Sequence, residues 1–305
     1  MSQLLKSRSR NSAFTLVELL IVIAIIGILA SLATVGVMKA LEKGKMVAAR
    51  TEISQLEAAI AAAKQNFGGV DNLPSAIKLH SRADLLMNDS TQIGIDTKNF
   101  LTKAFGKAWI PTISSNTPYM FWLGPSATYP VTLTGMEALV FWLGGVRDAN
   151  GTFLGFSSYP STPWDITNTK RKGPFYEFDA VRVRNNTSTT VPTFVNSWNG
   201  SYAYFSSADY LNFSKTVASG GYGAYSATGG LISPLLIRTP TAFYNPKTFQ
   251  IISSGPDQSF GKGNFGGGTT FGLVHTPGSG DYAIAASGYD DLSNFSTTQL
   301  GKKDE

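Results

Sequence analysis

The chain of 305 residues contains no cysteine. That excludes disulfides, thiolate metal sites and a thiol nucleophile, and leaves folding to core burial. Histidine is nearly absent as well: His80 and His275 have no acidic or hydroxyl partner at a recognisable spacing, so histidine-based acid–base catalysis is not expected. The glycine clusters at Gly261-Lys262-Gly263 and Gly266-Gly267-Gly268 lack a following Gly-Lys-Ser/Thr, which excludes a P-loop. Charge is sparse. Three of the 25 Lys and Arg fall in residues 1–13, where there is no acid, and the remaining 22 face 20 Asp and Glu. A near-neutral body carries no phosphate-backbone footprint, and no nucleic-acid partner is expected. Low charge with abundant Gly, Ser, Thr, Asn and aromatics suits a β-rich extracytoplasmic domain.

Long apolar runs are scarce except for one. A basic stub, Lys6, Arg8 and Arg10, leads through Ala13-Phe14-Thr15-Leu16-Val17-Glu18-Leu19-Leu20 into an apolar segment that ends at Met38. Leu19 to Met38 is long enough, at about 1.5 Å per residue, to span a hydrocarbon core of roughly 30 Å. Its single charge, Glu18, is costly at a membrane helix unless paired, and is therefore a candidate functional site. Cleavage between Ala13 and Phe14 would create an α-amine four residues from Glu18 on the same helix face. A neighbouring subunit's amine would then satisfy the carboxylate. A secretory signal peptide or a plain single-pass anchor are the alternatives. The run exceeds the 7–15 residues of a signal h-region, and neither alternative gives Glu18 a purpose.

These residues resemble the prepilin processing site of type IV pilins and type II secretion pseudopilins, with Ala13 where the family usually has Gly. The resemblance implies that an inner-membrane prepilin peptidase cleaves before Phe14 and methylates its amine. It also implies that Glu18 directs assembly, and that the apolar segment is first an anchor and later filament core. The flanking charges Lys6, Arg8, Arg10 and Lys39, Lys43, Lys45, Arg50 do not decide orientation alone; the resemblance implies a stub in the cytoplasm and a body in the periplasm.

Beyond the membrane segment Met46, Ala49, Ile53, Leu56, Ile60, Ala63 and Phe67 recur at spacings of three and four, an amphipathic seam with Lys45, Glu52, Glu57 and Lys64 off it. No proline interrupts Phe14 to Phe67, and Gly68-Gly69 supplies a stop. One helix of about 54 residues is expected, its outer half covered by the downstream body or by a parallel coiled-coil partner. The run from Arg50 to Ile60, followed by Pro74, is similar to the segment after the anchor in G-type major pseudopilins. That family often has a proline where this chain has Val35.

Residues 70–150 read as an insertion with helical pieces at Ser81–Met87, Thr97–Phe105 and Thr134–Leu143. Strands are expected at Phe175–Phe178 into Val181–Val183, Tyr202–Phe205, Ala242–Tyr244, Phe249–Ile252 and Phe271–Val274. The aromatic clusters Tyr119-Met120-Phe121-Trp122 and Phe141-Trp142 read as core. Near the C-terminus Asp257, Asp290 and Asp291, with Asp281, are similar to the acidic loop of G-type pseudopilins, which binds calcium. Carboxylates and backbone carbonyls suit a hard cation. A solvated, turn-rich surface is the other reading.

The expected fold is α+β: a long N-terminal membrane-spanning helix packed on an antiparallel sheet, pilin-like, with a large insertion. The expected divisions are a leader at 1–13, a transmembrane and filament-core helix at 14–38, its amphipathic continuation at 39–69 and an extracytoplasmic domain at 70–305. The resemblance implies a non-enzymatic pseudopilus subunit of a type II secretion system. Its partners would be its own copies, the prepilin peptidase, the secretion ATPase and platform, other pseudopilins and the membrane. A type IV pilus subunit and a membrane-tethered binding module are the alternatives.

Overall fold

The computed structural model describes residues 15–109, 129–148, 150–185, 191–213, 222, 225–227, 230–238, 242–261 and 273–303. The chain divides into two compact units, Met1–Val47 and Ala48–Glu305. A single helix, α1 (Leu16–Asn66), contributes 51 residues to them. In the first unit every α1 residue from Leu16 to Lys45 is exposed. The hydroxyls of Ser31 and Thr34 donate back to the carbonyls of Ile28 at 2.7 Å and Ala30 at 2.8 Å, so these polar groups are satisfied inside the helix, as an apolar surrounding requires.

In the second unit the expected seam is buried from Ala49 onward. Leu56, Ile60 and Ala63 are fully covered, as is Phe67 just past the helix end, whereas Met46 is only half-buried. The helix stops where Gly68 and Gly69 take positive φ (80° and 72°) and Gly69 N–H closes back on the Lys64 carbonyl at 3.0 Å, a conformation that glycine adopts without a Cβ penalty.

One residue expected off the seam is on it. Glu52 is 8 % exposed, and its carboxylate takes a two-pronged pair from Arg182, Nη1 to Oε1 and Nη2 to Oε2, both at 2.6 Å. Tyr202 also donates to Oε2 and Tyr176 reaches Oε1 at 3.5 Å. Arg182 in turn donates Nε to the Val195 carbonyl at 3.0 Å and lies over the Phe194 ring at 4.5 Å. Spacing along a helix places Glu52 beside Ile53 and Leu56 but cannot reveal a cation 130 residues away.

Residues 70–150 form more than helical pieces. β1 (Ala76–Leu79) is followed by α2 (Ala83–Met87), α3 (Gln92–Phe105) and β2 (Val131–Thr134). β1 and β2 pair antiparallel, Ala76 opposite Thr134 and Leu79 opposite Val131. Then α4 (Met136–Gly144) is buried at every position, as expected of a helix that is apolar all round. Phe141 and Trp142 are core side chains with no exposure, and the Trp142 indole donates to the Pro74 carbonyl at 2.9 Å. Phe67 sits among the rings of Phe105, Trp142, Phe156 and Phe175, with centroids 5.5–5.9 Å away. These residues are integral to the core rather than appended to it. Tyr119, Phe121 and Trp122 lie outside the described residues.

A small sheet follows, β3 (Val146–Arg147), β4 (Phe153–Ser157) and β5 (Arg171–Lys172), with β4 in the middle. Phe175–Phe178 is not a strand. Its backbone bonds to α4 instead, Phe175 N–H to the Leu143 carbonyl at 2.7 Å, while its aromatic rings serve Phe67 and Glu52. β6 (Val183–Asn185) and β7 (Pro192–Phe194) pair antiparallel, then come β8 (Tyr202–Ser206) and α5 (Tyr210–Phe213). β9 (Tyr225–Ala227) pairs with β10 (Gly230–Ile232), and β11 (Leu235–Arg238) with β12 (Ala242–Phe243). β13 (Phe249–Ser253) runs antiparallel to β8 across five residues, all buried on both strands. β14 (Leu273–Val274) adds a parallel partner to β11, and β15 (Leu292–Ser293) pairs antiparallel with β13. The result is an α+β body whose β8–β13–β15 sheet meets α1 through Tyr202 at Glu52 and through Asn294, which donates to Glu57 at 3.0 Å.

Removing one member of a buried, doubly bonded ion pair strands the other. Arg182→Ala is therefore expected to lower unfolding stability by about 3–5 kcal/mol, and Arg182→Lys, which keeps the charge but loses the fork, by less. Chemical denaturation checks this; a loss in Arg182→Ala below about 1 kcal/mol, the level of an exposed pair, would mean the two tyrosines suffice to hold Glu52.

Candidate functional site

Ala13 and Phe14, the expected processing positions, lie outside the described residues. Glu18 opens α1, and its surroundings differ from the expectation of a carboxylate without a local partner. Its Oε2 accepts the Thr15 backbone N–H at 2.8 Å and the Thr15 hydroxyl at 2.9 Å, while the Glu18 N–H donates to the Thr15 Oγ1 at 3.2 Å. This is a reciprocal capping box, and the Thr-x-x-Glu spacing that announces it is present in the sequence. The carboxylate is thereby fixed at the positive end of the helix dipole. A carboxylate has about four acceptor directions, so these bonds leave it able to accept from a further cation.

At the C-terminus the chain does bring Asp257 to Asp290 across 33 residues. The Asp257 N–H donates to Asp290 Oδ2 at 3.1 Å. The approach depends on Gly255: at φ +58 a Cβ there would sit 2.6 Å from the Asp290 carbonyl oxygen. Asp291 is fully buried. Its Oδ2 accepts from Gly261 N–H at 3.0 Å, and its Oδ1 has no hydrogen-bond partner among the described residues. Burial pushes the Asp291 carboxyl well above the usual carboxylate range; the Gly261 bond opposes this, and the neighbouring charges of Asp290 and Asp257 add to it. Asp257 is raised by burial against a bond from Ser259 N–H. Among the described residues no three His, Asp or Glu side chains are arranged as a ready metal cage. What the loop offers is one buried unpaired carboxylate oxygen beside two further acids.

The family described as the prokaryotic N-terminal methylation motif matches residues 8–34, the stretch that holds Ala13, Phe14 and Glu18. No curated protein and no solved structure matches the chain significantly. That motif supports a likeness to the type IV pilin and pseudopilin superfamily; among the described residues one helix is long and apolar enough to cross a membrane, and the α+β body that follows is consistent with a pilin-like fold. That superfamily is structural and non-enzymatic; its members are processed by a prepilin peptidase, anchored in the membrane and assembled with their own copies.

Both histidines have spatial partners that their sequence spacing conceals. His275 Nδ1 meets the Tyr244 hydroxyl at 3.1 Å and Nε2 the Leu300 carbonyl at 2.8 Å. His80 Nε2 lies 2.8 Å from Asp89 Oδ2, which also pairs with Lys78 Nζ at 2.7 Å. Asp89 Oδ1 caps the turn into α3 by accepting the Thr91 N–H at 2.8 Å. Burial would raise the Asp89 carboxyl, but the bonds from Lys78, Thr91 and His80 outweigh it and hold the group well below the usual carboxylate range. The arrangement fastens β1 to the α2–α3 turn. Because its folded affinity for protons is depressed, Asp89 contributes stability above about pH 4 that is lost as pH falls below it. Asp89→Asn is expected to cost about 1.5–3 kcal/mol at neutral pH, with the gap from the unmutated protein narrowing in acid unfolding below about pH 4; a gap that stays constant to pH 2 would remove the ionic account.

Proposed function

We propose that this protein is a pseudopilin of a type II secretion system: a filament subunit, anchored in the inner membrane with its stub in the cytoplasm and its body in the periplasm, whose assembly drives protein export. The observation that carries the reading is the N-terminal segment, a match to the methylation motif at residues 8–34 with Glu18 held at the start of α1 by Thr15. Cleavage before Phe14 frees an amine, and the carboxylate of Glu18 pairs with that amine on a neighbouring copy. Filament packing of the exposed apolar faces of Leu16 to Met38 replaces lipid contacts as each subunit leaves the bilayer. A cytoplasmic ATPase acting through a membrane platform, together with other pseudopilins, supplies the machinery implied by this class. The absence of cysteine and the closeness of Asp257 to Asp290 favour the secretion filament over a surface pilus.

Calcium is the proposed ligand of the C-terminal acidic loop, with Asp290 and Asp291 as ligands, Asp257 as a third acid and backbone carbonyls completing the shell. Support comes from Asp291 Oδ1, which is buried without a partner among the described residues. A dication there would offset the mutual repulsion of the three carboxylates.

Glu18→Ala should leave membrane insertion and the methylated Phe14 terminus intact, as read by intact mass, yet reduce filaments recovered by shearing or crosslinking at least tenfold and leave exported proteins in the periplasm. Filament yield equal to that of the unmutated protein would sink the pairing. Loss of surface filaments with export unchanged would move the reading to a pilus subunit.

The full chain in detergent is expected to melt several degrees higher in millimolar calcium than in chelator, since a cation that binds only the folded state stabilises it by mass action. Asp290→Ala with Asp291→Ala should abolish the difference. An unchanged melting temperature in the unmutated protein would leave the loop as a surface turn and weaken the preference for the G-type pseudopilin.

A further inference from the structure

Asp209 is a further buried acid away from both terminal sites, and among the described residues it is not bonded to a lysine or histidine as Asp89 is. Asp209 stands at the start of α5, where its carbonyl accepts the N–H groups of Asn212 and Phe213 at 2.9 and 3.0 Å. Its side chain is 5 % exposed. Oδ2 accepts both the Ser75 N–H at 2.7 Å and the Ser75 hydroxyl at 2.8 Å, and the Ser75 Oγ itself accepts the Ser206 N–H at 2.9 Å. One carboxylate thus joins the chain entering β1 to the end of β8 and the beginning of α5.

The titratable groups facing Asp209 are acids. Asp96 of α3 raises its proton affinity, Tyr204 of β8 and Tyr222 feel its charge, and Tyr210 of α5 is adjacent. Lys78, on β1, is committed to Asp89 at 2.7 Å, and Asp96 accepts the Tyr222 hydroxyl at 2.7 Å. Neutral donors, the Ser75 N–H and hydroxyl and the Ala76 N–H, are the bonds that support the ionised form. An ionised carboxylate in such a site is poorly solvated, and the joint opens more easily to let it reach water.

We infer that Asp209 is a pH-responsive joint, closed most firmly in mild acid, between the start of β1 and the β8–α5 turn. Burial, opposed by the bonds from Ser75 and the Ala76 N–H and aided by Asp96, pushes its carboxyl up to about 6. The sign follows from linkage. A carboxyl raised on folding contributes stability that is complete below the ordinary carboxylate range, near pH 4, and lost as pH rises through about 6. This is opposite to the direction at Asp89.

The test is hydrogen exchange of the Ser75 and Ser206 amides in the full chain in detergent, corrected for intrinsic rates, from pH 4 to 7.5. Protection of these two amides is expected to fall about tenfold to hundredfold between pH 4 and 6 and then level off. Asp209→Asn should remove that dependence at both amides, whereas a pH profile coinciding with that of the unmutated protein would overturn the inference. Asp96→Asn gives an independent check that spares the joint itself: removing the neighbouring charge should move the upper end of the transition to lower pH. If Asp209→Asn fails to fold, the Asp96→Asn profile decides, and an unmoved transition there overturns the inference as well.

Discussion

The burial of one face of α1 between Ala49 and Phe67 is the constraint from which the body is built. A helix this long gains little from its own propensity and must be covered by tertiary packing. The cover comes from three directions: Tyr202 and the β8–β13–β15 sheet at Glu52, Asn294 at Glu57, and the aromatic nest that receives Phe67 beyond the helix end. The two-pronged Arg182–Glu52 pair gives that contact a register. An apolar seam tolerates sliding by a turn, whereas a fork geometry with two bonds at 2.6 Å accepts one alignment. A buried pair of this kind adds specificity more surely than stability.

The same helix serves two surroundings with different rules. From Leu16 to Lys45 its side chains are exposed, and Ser31 and Thr34 bond their hydroxyls to their own backbone, which suits lipid or a filament interior. From Ala49 onward polar groups are tolerated on the buried face, provided a partner is built for them, as at Glu52. Lys39, Glu42, Lys43 and Lys45 follow the apolar segment that ends at Met38; the charge at its other end, which belongs to neither scheme, is Glu18. Thr15 holds it in a capping box, so the carboxylate is presented at a fixed place at the helix start before any neighbouring amine arrives.

The buried acids show how environment sets the behaviour of identical side chains. Asp89 has a lysine and a histidine and stays ionised. Asp209 has serine donors and an acidic neighbour, and holds its proton in mild acid; Asp291 has one backbone donor and two acidic neighbours, and is shifted in the same sense. On the inference drawn above, acidification from neutral pH to about 4 tightens the β1 to β8–α5 contact, and only further acidification loosens the β1 to α2–α3 contact. Occupation of the C-terminal loop by a dication would remove the third from this balance.

The sequence by itself determined the features that depend on near neighbours along the chain. The methylation motif, the length and polarity of the apolar run, the seam at Ala49, Ile53, Leu56 and Ile60, the glycine stop and the strands around Tyr202 and Phe249 all rest on helix or strand periodicity and on local turn chemistry. Even the Thr15–Glu18 box was legible at its spacing of three. Only the tertiary structure decided which polar residues meet: Glu52 with Arg182, Asp89 with Lys78 and His80, Asp209 with Ser75, and Asp257 with Asp290. It also decided that Phe175–Phe178 packs its rings on α1 instead of pairing as a strand, and that β1 and α4 belong to the core. The reason is that hydrogen bonds and charges act over a few ångströms in space without regard to separation in sequence. Periodicity identifies the face a residue occupies; the folded chain alone supplies what lies opposite it.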